Sequence, residues 1–134
     1  MVNLEKEEPF ALKIFLVDDN PSILDLYTKI LRKKGYFTLG VSSAVDALEI
    51  LNRNLTKVDV IITDIDMPGL DGIEFYKIVK ERRPDLTNKI IFITGGIFSG
   101  EMAELLIEIP NPKIQKPVEM EELLQAISLV ASRK

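Results

Sequence analysis

The sequence predicts an α/β domain, a doubly wound parallel sheet with helices on both faces. Three observations carry this expectation. Short β-branched runs alternate with segments whose apolar residues recur at helical spacing, and the alternation occurs five times. The run Val60-Ile61-Ile62 is apolar on successive residues, as a strand covered on both faces requires. The runs also end in Asp, Thr or Lys, at the carboxyl ends where open α/β sheets place their ligand sites.

Each element has its own justification. Residues 1–10 (MVNLEKEEPF) are charged, with Pro9 near their end, and read as an extension or linker. Lys13 to Val17 is the first strand and runs into Asp18-Asp19-Asn20-Pro21. Asn20 suits a helix N-cap and Pro21 its first position. The helix carries Ile23, Leu24, Tyr27, Ile30 and Leu31, and Gly35 stops it. Tyr36 to Val41 is the second strand, and Ser43 caps a helix bearing Ala44, Ala47, Leu48 and Leu51. The third strand runs from Val58 to Asp64, with Asp66 and the turn Pro68-Gly69 after it. Asp71-Gly72 opens a helix with Phe75, Tyr76, Ile78 and Val79, closed by Pro84. Asn88 to Thr94 is the fourth strand, followed by the glycine-rich loop Gly95 to Gly100. A short helix is predicted from Glu101 to Glu108 and is broken by Pro110-Asn111-Pro112. Lys113 to Lys116 is a brief fifth strand ended by Pro117. Glu119 opens a last helix with Met120, Leu123, Leu124, Ile127 and Val130 on one face. Its acidic start and its end at Arg133 and Lys134 suit the helix dipole.

Composition removes several function classes. The chain has 134 residues, enough for one domain with its own core. It has no cysteine and no histidine, which excludes disulfides, thiolate metal sites, thiol nucleophiles and imidazole bases. A net charge of −4 argues against direct nucleic-acid binding. No apolar run approaches the roughly 18 residues of a membrane span, so a soluble cytoplasmic domain is expected.

The strand ends bring together Asp18, Asp19, Asp64 and Asp66, with Thr94 and Lys116 nearby. Converging carboxylates repel unless a cation neutralises them. An all-oxygen set favours Mg²⁺, or Mn²⁺, over zinc. A carboxylate is a competent nucleophile toward a phosphoryl group. The chemistry implied is phosphoryl transfer onto Asp64, assisted by a metal and by Lys116.

These residues resemble the receiver domain of two-component response regulators. The resemblance runs from Lys13 to Ala131. It rests on Leu16-Val17-Asp18-Asp19, Thr63-Asp64-Ile65-Asp66-Met67-Pro68-Gly69-Leu70-Asp71-Gly72, Ile93-Thr94-Gly95 and Lys116-Pro117. It implies a receiver domain over residues 11–134, with a flavodoxin-like five-stranded sheet of order 2-1-3-4-5 and five helices. It implies Asp64 as phosphoacceptor, Asp19 as a direct metal ligand, Asp18 acting through water, and the Asp66 carbonyl as a further ligand. Thr94 and Lys116 would contact the phosphoryl group, and the Lys116–Pro117 bond would be cis. The donor implied is a phosphohistidine on a sensor histidine kinase or a phosphotransfer protein, and the output is a downstream protein. The Gly95-Gly96 pair and the Asn111-Pro112 and Lys116-Pro117 elements also resemble receivers fused to hybrid sensor kinases.

One position departs from that family pattern. An aromatic residue is common three positions before the lysine, and here it is Lys113, read as solvent-exposed, with Phe98 as a substitute. Simpler roles stand beside the functional ones. Asp18 and Asp19 can cap a helix, Asp66 can be a turn residue, Thr94 a strand residue and Lys116 a solvated lysine. Tyr27, Phe75 and Tyr76 lie on packing stripes, and Ile97 with Phe98 forms a docking patch or folds back on the core. Three competing functions remain. One is a pseudo-receiver that binds a partner without phosphorylation. Another is a Mg²⁺-dependent aspartyl phosphatase using Asp64-Ile65-Asp66, although that pattern belongs after a first strand. The third, a flavin or nucleotide module, conflicts with Asp18-Asp19 where a phosphate would sit.

Overall fold

The computed structural model describes residues 11–53, 57–96 and 98–133. The extension expected at residues 1–10, together with Ile97 and Lys134, lies outside them. Five strands form one parallel sheet in the order β2-β1-β3-β4-β5: β1 Lys13–Val17, β2 Phe37–Val41, β3 Val60–Asp64, β4 Ile90–Thr94 and β5 Lys113–Gln115. Five α-helices alternate with them: α1 Pro21–Lys33, α2 Ala44–Arg53, α3 Gly72–Arg82, α4 Gly100–Glu108 and α5 Met120–Ala131. The predicted doubly wound architecture is the one observed.

The two-residue period of a strand divides the core. Ile14, Leu16, Val60, Ile62, Ile91 and Ile93 point to the face covered by Leu31 of α1 and by Leu123, Ile127 and Val130 of α5. Phe15, Val17, Ile61 and Phe92 point to the other face, against Ala47 and Leu51 of α2 and Phe75, Tyr76 and Val79 of α3. Met102, Leu105 and Leu106 of α4 pack on that second face but are only partly buried.

The caps explain where the helices begin. The Asn20 carboxamide oxygen accepts from the backbone N–H groups of Ser22 and Ile23, and the Ser43 hydroxyl accepts from Asp46 N–H. Asp71 accepts from Ile73 and Glu74, while Glu74 accepts from Asp71 N–H, closing a capping box.

Several expected boundaries need correction. The third strand begins at Val60, because the Asp59 carboxylate accepts the Lys13 N–H at 2.8 Å and turns the chain into the sheet. The fourth begins at Ile90: Asn88 and Lys89 belong to a 3-10 segment, Pro84–Lys89, that the fixed φ of Pro84 favours. The second strand starts at Phe37 and α4 at Gly100. The fifth stops at Gln115, although Lys116 N–H still donates to Thr94 O at 2.8 Å. Helix α5 ends at Ala131, so Arg133 lies beyond its last turn. A cation from elsewhere serves its carbonyls, as the Lys89 ammonium donates to those of Val130 and Arg133.

No helix among the described residues is long and apolar enough to cross a membrane.

Candidate functional site

Register places the reactive side chains at one edge of the sheet. Val17 pairs with Thr63, Asp64 with Ile93, and Thr94 with Gln115. The residues just past each strand end therefore converge. Carboxylate oxygens of Asp18, Asp19 and Asp64 lie within 4.8 Å of one another. Asp18 and Asp64 are each only 3% exposed, whereas Asp19 is open to solvent.

Asp64 is held on both oxygens. Its Oδ1 accepts Asp66 N–H at 3.0 Å, and its Oδ2 accepts the Lys116 ammonium at 2.7 Å. The lysine reaches in from the β5 end with its side chain 42% exposed, so one partner is buried and the other stays at the surface. The bond from Lys116 to Pro117 is cis, as the resemblance implied. Asp18 accepts Asn20 N–H on Oδ1 at 2.8 Å, which fixes the orientation of its carboxylate.

The electrostatics follow from this packing. Burial pushes the Asp18 carboxyl above its ordinary value. The Asn20 hydrogen bond offsets part of that rise, and the neighbouring Asp64 charge adds to it. Burial alone would lower Lys116, but the hydrogen bond and charge of Asp64 outweigh it. Asp18 and Asp66 add further negative charge, and the ammonium is held above the ordinary lysine value. The Thr94 hydroxyl is buried with no hydrogen-bond partner. A buried hydroxyl without a partner is uncommon in native structures and asks for one.

Most predicted site residues thus meet. Asp18, Asp19, Asp64 and Lys116 form one cluster, and Thr94 stands at the adjacent strand end. The Asp66 side chain does not join the three clustered carboxylates. It is exposed, and an oxygen of it lies near Gly96. Tyr27, read as packing, lies within electrostatic reach of Lys116, Asp18 and Asp64, and burial raises its phenol. Lys113 is exposed as a residue, but its ammonium donates to the carbonyls of Ile109 and Asn111, and burial lowers its pKa. Its signal in the sequence was a long cation just after a helix C-terminus.

A family model described as the response regulator receiver domain matches residues 14–128. The chain belongs to the response regulator receiver family. It is similar to the receiver regions of proteins with different overall designs. The two-component response regulator ORR26 of Oryza sativa subsp. japonica is 30% identical over 118 residues, covering 86% of this chain and 19% of that protein. The sensor histidine kinase RcsC of Escherichia coli (strain K12) is 29% identical, covering 91% of this chain and 12% of that protein. The heme response regulator HssR of Staphylococcus saprophyticus is 30% identical, covering 88% of this chain and 50% of that protein. This receiver spans half or less of the length of each of these relatives. Among solved structures, a response regulator receiver domain protein from Clostridium thermocellum matches with TM-score 0.77 and 29% identity, covering 91% of this chain and 95% of that one. The receiver domain of a signal transduction histidine kinase from Syntrophus aciditrophicus matches with TM-score 0.75 and 29% identity, covering 91% of each chain.

Proposed function

We propose that this receiver takes a phosphoryl group on Asp64 from a phosphohistidine of a sensor histidine kinase or phosphotransfer protein, in the cytoplasm. It then passes the change to a downstream protein. The observation that carries the reading is the buried Asp64 carboxylate. It is fixed by a backbone N–H on one oxygen and by Lys116 on the other, beside two further carboxylates.

The chain's own residues have defined tasks. A carboxylate oxygen of Asp64 attacks phosphorus, the phosphorus–nitrogen bond to the donor imidazole breaks, and an acyl phosphate forms. Lys116 lies where negative charge on the transferred group accumulates, and its positive charge stabilises that group. The unpartnered Thr94 hydroxyl can donate to a phosphoryl oxygen. The oxygen-only donors Asp18, Asp19 and Asp64 fit Mg²⁺ or Mn²⁺, and the family resemblance adds the Asp66 carbonyl. When bound, the ion would neutralise the carboxylates and the phosphoryl charge together.

Intact mass after incubation with acetyl phosphate and Mg²⁺ tests the acceptor. One hydroxylamine-labile phosphoryl adduct on the native chain and none on Asp64→Asn is expected. An adduct that survives in Asp64→Asn would place the acceptor elsewhere. Magnesium should also raise the melting temperature. A ligand bound only by the folded state at ten times its Kd adds about 1.4 kcal/mol. A melting temperature unmoved by millimolar Mg²⁺ would remove the metal from the proposal.

A further inference from the structure

Beside the acceptor lies a second feature, whose side chains phosphoryl transfer does not use. An open pocket of about 350 Å³ is lined by Ile65, Asp66, Met67, Pro68, Asp71, Phe98 and Met102. One wall is the segment between β3 and α3. The other is Phe98 with Met102 of the first turn of α4. Its lining mixes apolar side chains, among them two methionines and a phenylalanine, with two carboxylates as its only charged groups.

The two carboxylates are not equivalent. Asp71 is committed to the α3 cap. Asp66 is exposed, and none of the ion pairs among the described residues uses it. Gly96 stands between Asp66 and the aromatic ring. A Cβ on Gly96 would lie 3.5 Å from Phe98 Cζ and 3.7 Å from Asp66 Oδ2. An unpaired carboxylate and a ring edge therefore flank one small gap, and the missing side chain of Gly96 leaves it open.

We propose that this pocket receives an arginine side chain from a partner protein. A guanidinium is planar, packs against aromatic side chains and pairs with carboxylates through a fork of N–H donors. Its three-carbon stem suits the Met67 and Met102 side chains of the lining, and its charge complements a lining whose only ionisable groups are acidic. A neutral apolar group would leave Asp66 with no direct ion pair, only its longer-range attraction to Lys116. A second copy of this chain is a poorer occupant, because each copy carries a net charge of −4. The pocket begins at the residue after Asp64, so the arginine would anchor its protein beside the acceptor. The proposal stands apart from the phosphoryl reading, since none of its contacts requires Asp64 to be modified.

The test uses the intact chain with methyl-¹³C methionine. The chain has four methionines, of which Met67 and Met102 line the pocket, while Met120 packs on the opposite face of the sheet as a control. The probe is N-acetyl-arginine N-methylamide, titrated without metal or phosphodonor. Its citrulline counterpart serves as the neutral isostere. Saturable shifts of Met67 and Met102 are expected, with Met120 unmoved and the citrulline compound at least about threefold weaker. Asp66→Asn should weaken binding by a similar factor, and Gly96→Leu should abolish it by filling the gap. An unshifted Met120 methyl in each variant establishes that it is folded. Equal binding of arginine and citrulline compounds, undiminished binding to Asp66→Asn, or unshifted Met67 and Met102 would each overturn the proposal. Shifts of those methyls on simple dilution would overturn it in favour of self-contact. Failure of Asp64 to take a phosphoryl group would leave these results intact, so the two readings fail separately.

Discussion

Helices α3 and α4 follow the two strands whose ends carry Asp64 and Thr94, and they are built in opposite ways. Helix α3 starts with a full capping box and buries Gly72, Ile73, Phe75, Tyr76 and Val79. Its first residue is pressed against the end of β3, for a Cβ on Gly72 would lie 2.5 Å from the Asp64 carbonyl oxygen. Helix α4 starts at Gly100 in the left-handed region, with φ 64°. Its N-cap Ser99 makes no side-chain capping bond, and none of its residues is buried. Ile107 is 83% exposed. Asp64 is thus anchored to a firmly packed helix, and the Thr94 hydroxyl at the neighbouring strand end is followed by a weakly held one. Elements that move are drawn from the least stable parts of a fold. A site can keep its chemistry rigid while a neighbouring segment shifts, and the packing of α3 and α4 gives the first character to α3 and leaves α4 the freer of the two.

The largest test compares core packing in the two helices. Phe75 is fully buried, and Phe75→Ala should cost about 3–5 kcal/mol in chemical denaturation, enough to threaten folding of a small domain. Leu106 is only partly buried, and Leu106→Ala should cost about 1 kcal/mol. Losses of equal size would show that α4 is held as firmly as α3, and the contrast would fail.

Two glycines give the next largest contrast. Gly72→Ala drives a methyl into backbone atoms of Asp64 and Ile65 that have no flexible end to yield. A loss of about 2 kcal/mol is expected, together with slower phosphoryl uptake because the end of β3 must shift. At Gly96 the nearest atom to a new methyl is the Phe98 ring at 3.5 Å, an ordinary contact, so Gly96→Ala should leave the denaturation midpoint nearly unchanged. A harmless Gly72→Ala would refute the close packing on which the rigid side of the comparison rests.

The rigid side was also the legible side. Val60-Ile61-Ile62 and Asp64 announce a buried strand and a carboxylate at its end, and the doubly wound order follows from alternation and crossover handedness. Asp18, Asp19 and Lys116 meet Asp64 because strand ends in a parallel sheet share an edge. The contacts that were not legible lie where two distant segments meet through geometry that no local pattern encodes. Lys113 reads as a solvated lysine, yet its ammonium closes the carbonyls of Ile109 and Asn111. Lys89 reads as part of a strand, yet it serves the carbonyls of Val130 in α5 and of Arg133 just beyond it. Asp59 interrupts an apolar run, and only the pairing of β1 with β3 reveals that it receives Lys13 N–H. Asp71 and Glu74 carry a capping-box spacing in the sequence itself, so that signal was present and reflects local chemistry alone.

The smallest contrast isolates the caps. Asp71→Ala removes acceptors for two N–H groups and should destabilise the domain by about 1 kcal/mol. Ser99→Ala removes no side-chain capping bond, so a change within about 0.3 kcal/mol is expected. Hydrogen exchange sharpens the result. Amides in the first turn of α3 should lose protection in Asp71→Ala, while those of α4 should exchange alike in the native chain and in Ser99→Ala. If Ser99→Ala instead unprotects α4, the serine caps that helix in solution, and the loosely held side of the site is tighter than its packing implies.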